Sequence, residues 1–362
     1  MLSVILSMHL QMPGRWLICA GAGLMILSAG TAACTSGGGS GSRVAASPGA
    51  SRAAASALAS LQRQYEHVVS QVLPSVVQII TPQGSGSGVV YDRDGDIVTN
   101  AHVVGTARSV QVSPASGGKA LPAAVTGVFP PDDLAVIRVK RGARSLRPAS
   151  FGHSGLVRVG DIVLAMGNPL GLTGTVTDGI VSATGRTVSE GEGSSAVLIS
   201  AIQTSAAINP GNSGGALVDL SGQVIGIPTL AASDPQLGGA ASGIGFAIPS
   251  DTITRIASQL IATGKVRNSG RASLGITAET VANAAGQPAG VGVVSVRPGG
   301  AAAGAGVRGG DIILSVAGQP TNSVAGLQAA LALRGPGDRV RVRLLRGSTQ
   351  STVLVTLGSL RS

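Results

Sequence analysis

The chain is 362 residues long, 44% hydrophobic and 12% charged, with 55 glycines and 18 prolines. That length allows two domains with sizeable cores, and that apolar content excludes disorder throughout. The net charge of +10 reflects few acids rather than dense basic runs, and no basic cluster is interleaved with aromatics, which argues against a nucleic-acid binder.

Aromatic residues make up 2% of the chain, so its cores must be Val, Ile, Leu and Ala. The two cysteines, Cys19 and Cys34, both fall in the first 34 residues, so the body has neither a disulfide nor a thiolate metal site. No H-E-x-x-H pattern occurs, and neither a metal nor a cofactor is expected.

Residues 1–34 read as an export leader. Arg15 precedes the apolar run Trp16–Ala33, which ends in Thr31-Ala32-Ala33-Cys34. A positive start, an apolar centre and small residues before a cut site describe a secretory signal. Cys34 directly after that site resembles the lipidated cysteine of a lipoprotein, although Thr31 stands where that pattern prefers leucine. Simple cleavage and a retained anchor are the alternatives, since the run is just long enough to span a bilayer. Met8 and Met12 offer other start codons. Each reading exports the body. A Gly/Ser/Ala tether follows, and residues 51–71 turn helical, with Leu58, Leu61, Tyr65, Val68 and Val72 at helical spacing. His67 lies on that helix, away from any chemistry.

Residues 74–264 read as one domain of many short strands. Val76–Ile80, Gly88–Tyr91, Ile97–Asn100, Ser109–Val112, Ala135–Val139, Ile162–Ala165, Val197–Ile199, Gly215–Val218 and Val224–Ile227 lie between turn residues, which indicates a barrel or sandwich. A final helix is predicted with Ser250 or Asp251 as its cap, an apolar stripe from Ile253 to Ile261, and Gly264 as its C-cap.

The chemistry is concentrated in Gly211-Asn212-Ser213-Gly214-Gly215. Read literally this is the G-x-S-x-G elbow of an α/β-hydrolase, a fold that places its histidine after the serine. All four histidines here (His9, His67, His102, His153) precede Ser213. The remaining order, His then Asp then Ser, is that of the double-barrel serine proteases. Ser213 is the candidate nucleophile, and the turn Gly211, Asn212, Ser213 offers an oxyanion hole through the amides of Gly211 and Ser213. His102, at the end of a strand, is favoured over the turn residue His153 as base, because a base must be held on a rigid element. Asp133, which opens the strand Leu134–Ile137, is the favoured carboxylate, with Asp132 the off-by-one alternative.

Thr99–Val104, Asp133–Ile137, Gly160-Asp161 with Gly167-Asn168-Pro169, and Gln203–Gly215 together resemble the HtrA (Deg) family of trypsin-like serine proteases. The resemblance extends over about residues 74–360. It implies a chymotrypsin-like double β-barrel followed by a PDZ domain, hence a mainly β fold. It implies His102, Asp133 and Ser213 as the triad, and Thr175–Gly185 with the residues before Ser213 as loops that order on activation. It also implies a role in quality control of misfolded envelope proteins, and assembly as a homotrimer or a multiple of one. Ser205 departs from the family's usual aspartate, and Pro228 from its frequent asparagine. The pocket floor falls at Ala207 or Ile208, with Ile227 beside it. No acid stands there, so cleavage after small or medium aliphatic residues is expected.

Residues 270–360 resemble an HtrA-type PDZ domain, on Ser273-Leu274-Gly275-Ile276, Gly292–Val296, Gly309–Ile313 and a helix near Ser323–Leu333. Such a domain captures a peptide C-terminus by strand addition. Ser273, Leu274, Gly275 and Ile276 would receive the carboxylate, with Leu327 and Leu331 walling the groove; a β-domain used only for packing is the alternative. Arg339–Leu344 alternates arginine with aliphatic residues and reads as a wet strand face, with attraction to anionic lipid the lesser alternative. The rival for the whole chain is a non-proteolytic chaperone that binds clients through this domain, and a complete triad argues against it.

Overall fold

The computed structural model describes residues 48–115, 117–168, 174–189, 196–209, 211–234 and 239–362. The leader, Cys34 and most of the tether lie outside them. Residues 53–362 form one compact unit.

Helix α1 (Pro48–Val72) leads into the first barrel. That barrel comprises β1 (Val76–Thr81), β2 (Gly84–Val90), β3 (Asp96–Asn100), the one-turn helix α2 (Ala101–Val104), β4 (Ser109–Pro114), β5 (Leu121–Phe129) and β6 (Leu134–Val139). Its strands close in the order β1-β2-β3-β6-β5-β4, with β4 returning to β1. Val77, Ile79, Val90, Ile97, Val112 and Ile137 fill its interior.

The second sheet holds β7 (Ser150–Phe151), β8 (Ile162–Gly167), β9 (Thr175–Ser189), β10 (Val197–Thr204), β11 (Ala216–Asp219), β12 (Gln223–Asp234) and β13 (Gly239–Pro249). Its order is β11-β8-β9-β10-β13-β12-β7, and β11 also pairs with β12, so six strands close on themselves. Val163, Ala165, Val181, Ile202, Leu217 and Ala247 pack inside. A third cluster joins the two barrels to α1 and to α3 (Ser250–Thr263): Val89, Val98 and Val136 meet Leu164, Met166 and Ile227, with Val68, Val72, Ile253 and Leu260 sealing the edge.

The last domain contains β14 (Ala272–Ser273), β15 (Ile276–Ala282), β16 (Pro288–Val296), α4 (Ala301–Gly304), β17 (Ile312–Val316), β18 (Gln319–Pro320), α5 (Val324–Ala332), β19 (Arg339–Arg346), β20 (Thr349–Thr356) and β21 (Gly358–Ser359). The main sheet runs β15-β16-β17-β19-β20, which leaves β15 at its edge. The fold is mainly β, with two barrels followed by a β-rich third domain.

Three local expectations are corrected. Thr175–Gly185, expected as a loop, lies in the 15-residue strand β9, because β8 and β10 take up its hydrogen-bonding groups. His102 sits one residue into α2 rather than on the strand end itself. Neither Ser250 nor Asp251 caps α3: Ser250 Oγ donates to the Gly152 carbonyl at 2.7 Å, and Asp251 accepts from Ser154 and Gly155. The Gly264 C-cap is present at φ 68°.

Candidate active site

The site lies between the barrels. Asp133 ends the turn Pro130–Asp132 with φ 49°, a left-handed conformation that an aspartate tolerates better than most residues. That bend delivers its carboxylate to α2. His102 Nδ1 lies 2.8 Å from Asp133 Oδ2, and the His102 amide donates to Asp133 Oδ1 at 3.0 Å. Asn100 Nδ2 and the Ala101 amide hold the Asp133 carbonyl. The aspartate is buried, while the histidine side chain is 47% exposed.

The structure brings His102, and not His153, to Asp133. His153 pairs instead with Asp251 at 3.5 Å and is 83% exposed. The neighbouring Asp132 turns away to Arg271, 2.6 Å from its Nη1. Burial pushes the Asp132 carboxyl above the usual carboxylate range, against the opposing pull of Arg271.

Ser213 approaches from the second barrel. Its Oγ donates to the Thr229 carbonyl at 3.0 Å, and Thr229 Oγ1 donates to Asp133 Oδ2. One residue thus touches both the serine and the carboxylate. The turn is held by left-handed glycines, Gly211 at φ 105° and Gly214 at φ 80°. A side chain on Gly214 would collide with the Ser87 carbonyl and Thr99 Oγ1.

Ser87 on β2 reaches the turn from the first barrel. Its amide donates to the Ser213 carbonyl at 3.0 Å, and its hydroxyl donates to Gly211 O while accepting from the Asn168 amide at 2.8 Å. Of the three oxyanion candidates, Asn212 spends its amide on Asn209 O at 3.0 Å and its side chain on the Ala207 carbonyl, so the hole would be formed by Gly211 and Ser213.

Ala207 and Ile208 lie directly upstream. Ile208 is buried in the second barrel and packs over Gly245, where no side chain would fit. Ile227, expected to line the pocket, is instead fully buried in the core between the barrels. Ser205 takes the place of an acid and bonds to β9: its Oγ accepts from the Ile180 amide at 3.0 Å. Pro228 has no N–H, but its carbonyl accepts from Gly214 at 3.0 Å.

The third domain carries a groove of about 270 Å³ between β15 and α5, lined by Leu274, Gly275, Ile276, Val324, Leu327 and Leu331 among others. Pro131 and Ile199 of the barrels close one side of it. The Ser273 hydroxyl accepts from the Gly275 amide at 3.0 Å, which fixes the loop with Gly275 at φ 71°. Leu274 itself points into the domain core.

Residues 86–227 match the trypsin-like peptidase domain, and residues 272–357 match the PDZ domain. The chain is 43% identical to the serine protease PepD of Mycobacterium tuberculosis, over 81% of this chain and 66% of that protein. It is 37% identical to the putative serine protease HhoB of Synechocystis, over 76% and 67%. The solved serine endoprotease of Yersinia pestis aligns at 37% identity and a TM-score of 0.55, covering 82% of this chain and 98% of that one. The chain belongs to the HtrA (Deg) family of serine proteases.

Its HtrA membership rests on one trypsin-like domain and one PDZ domain. An HtrA-type protease, AlgW, solved with a decapeptide, aligns at 31% identity and a TM-score of 0.56 over 98% of its length. The periplasmic endoprotease DegQ of Escherichia coli is 39% identical, and the chain spans 59% of it. The chain thus covers about two thirds or less of these curated relatives.

Sequence reasoning missed Ser87 and Thr229. Ser87 sits between glycines in β2 and Thr229 in the largely apolar β12, and neither type nor spacing distinguishes them from surface serines and threonines. Among the described residues, no group of three His, Cys, Asp or Glu side chains could hold a metal.

Proposed function

We propose that this HtrA-family chain is an exported serine endopeptidase that cleaves unfolded or envelope proteins. Ser213 attacks the scissile carbonyl, His102 takes the Ser213 proton on Nε2, and Asp133 fixes the tautomer of the ring. The Gly211 and Ser213 amides receive the developing oxyanion. His102 gives that proton to the amine that leaves as the acyl-enzyme forms; it then takes a proton from the water that attacks the ester and returns it to Ser213 Oγ as the acid product departs. The single observation that carries this reading is the Asp133 carboxylate, which faces His102 Nδ1 at 2.8 Å and is joined through Thr229 to Ser213. The Ser213 hydroxyl donates to the Thr229 carbonyl at 3.0 Å, and in the reaction its proton would pass to the imidazole.

The pocket, floored by Ala207 and Ile208, would take a small or medium aliphatic side chain. Ile208 leaves little depth over Gly245, and no acid is present to hold a basic one. Peptide C-termini would add to the open edge of β15, with the carboxylate at Ser273–Ile276, and so regulate the protease. Acylation of Cys34 would hold the enzyme at the membrane on its extracytoplasmic side. A trimer or a multiple of one is the expected assembly.

The test is hydrolysis of casein by the purified protein and by Ser213→Ala. The wild type should cleave, and the variant should lose on the order of 10⁶ in turnover. Equal protection of a client protein by both forms, without cleavage, would instead favour the chaperone. Peptides ending in Val, Ala or Leu at the cleaved position should outrun those ending in Arg; a preference for Arg would refute the pocket assignment.

A further inference from the structure

Arg339, Arg341 and Arg343 lie on the exposed face of β19, while Val340, Val342 and Leu344 on its other face enter the PDZ core. Together with Arg334 they line an open concavity of about 650 Å³ on the sheet, which shares no residue with the peptide groove. Successive guanidinium-bearing positions are roughly 6.6 Å apart along the strand, close enough to repel.

Their cross-strand partners supply no acid. Arg339 faces Thr356, Arg341 faces Leu354, and Arg343 faces Thr352 on one side and Ser315 on the other. Three arginines elsewhere have a carboxylate partner: Arg138 pairs with Asp96, Arg271 with Asp132 and Arg346 with Asp311. Among the described residues no ion pair includes Arg334, Arg339, Arg341 or Arg343. The nearest acid in sequence, Asp338, accepts from the Gly335 amide. Four unmatched cations on one face call for an anionic partner.

The apolar residues in and beside the patch decide which one. Leu354 lines the concavity among the arginines and is 49% exposed, and Leu333, the chain neighbour of Arg334 outside that lining, is 70% exposed. Aromatic side chains, the platforms on which single-stranded nucleic acid stacks, are missing from the lining. Cations that flank exposed leucines match a surface of phosphate headgroups over acyl chains. We infer that this arginine face of the PDZ sheet docks on an anionic lipid bilayer, orienting the peptide groove and the protease at the membrane surface.

The experiment is sedimentation of the full chain with vesicles of phosphatidylcholine alone or mixed with phosphatidylglycerol. The apolar segment Trp16–Ala33 is common to every variant, so the quantity read is the excess binding to phosphatidylglycerol. That excess should vanish at high salt. Arg341→Gln with Arg343→Gln should reduce it about 25-fold, at about fivefold per arginine. Arg341→Lys with Arg343→Lys should restore it, and Leu354→Ser should lower it, with casein hydrolysis unchanged in all of them. The inference is overturned if the Gln pair binds as well as wild type, or if the Lys pair falls as far as the Gln pair. Displacement by dilute inorganic phosphate would show a discrete phosphate site, and tighter binding to duplex DNA than to vesicles would show a nucleic-acid surface; either overturns it.

Discussion

Thr229 donates its hydroxyl to Asp133 on Oδ2, the same carboxylate oxygen that faces His102 Nδ1 at 2.8 Å. The carboxylate is buried, so each donor that reaches it counts for more than it would in water. Thr229→Val keeps the shape and removes this donor. It should lower kcat roughly 10- to 100-fold, the worth of one hydrogen bond to a charged group, and leave KM little changed. Thr229→Ser should retain most activity. Steady-state kinetics on an aliphatic peptide would separate the two.

Ser87 ties the Ser213 turn to the first barrel through its amide and its hydroxyl, while its carbonyl accepts from Thr99 Oγ1 within that barrel. Ser87→Ala removes the hydroxyl, orphaning Gly211 O and the Asn168 amide. The oxyanion turn should loosen, with turnover falling by up to roughly 10²-fold, the lower end of what losing an oxyanion donor costs. An unchanged kcat would show that the turn is held by its glycines alone.

Arg271 precedes the PDZ peptide loop and donates to both Pro131 O and Asp132, next to Asp133. Its side chain is 11% exposed and that of Asp132 is 5% exposed. Arg271→Met leaves a buried carboxylate unpaired, and should cost about 3–5 kcal/mol in chemical denaturation. Asp132→Asn in the same chain should recover much of that loss, since the remaining group is neutral.

The PDZ domain should lose stability in acid through Asp311. Arg346 bonds its carboxylate at 2.7 Å and holds it below the ordinary value of 3.8, against the opposing effect of burial. A depressed folded value means that the stabilisation is complete above 3.8 and is lost as pH falls below it through the folded value. Thermal unfolding across that range should show a drop for wild type and a flatter curve for Asp311→Asn.

Strands and the order of chemical groups were legible in the linear chain. Short apolar runs between turn residues marked β1, β3, β4, β6, β8, β10 and β11, because alternation and punctuation are local properties. β9 was not: the family resemblance implied loops at Thr175–Gly185, and pairing with β8 and β10 on both edges makes this segment a strand. Ile227 shows the same limit. Its place in an apolar strand was plain, but the choice between pocket wall and inter-barrel core depends on which way the rolled sheet faces.

By itself the sequence determined that Ser213 follows every histidine, that glycines surround it, and that a basic strand alternates with aliphatic residues at 339–344. These are facts of order and local pattern, and they suffice to exclude one hydrolase fold and suggest another. Tertiary structure alone decided that Thr229 links Asp133 to Ser213, that Ser87 clamps the turn from the opposite barrel, and that Arg271 reaches Asp132. Each of those contacts joins residues far apart in the chain, and what brings them together is the burial of aliphatic cores in separate barrels and a third domain.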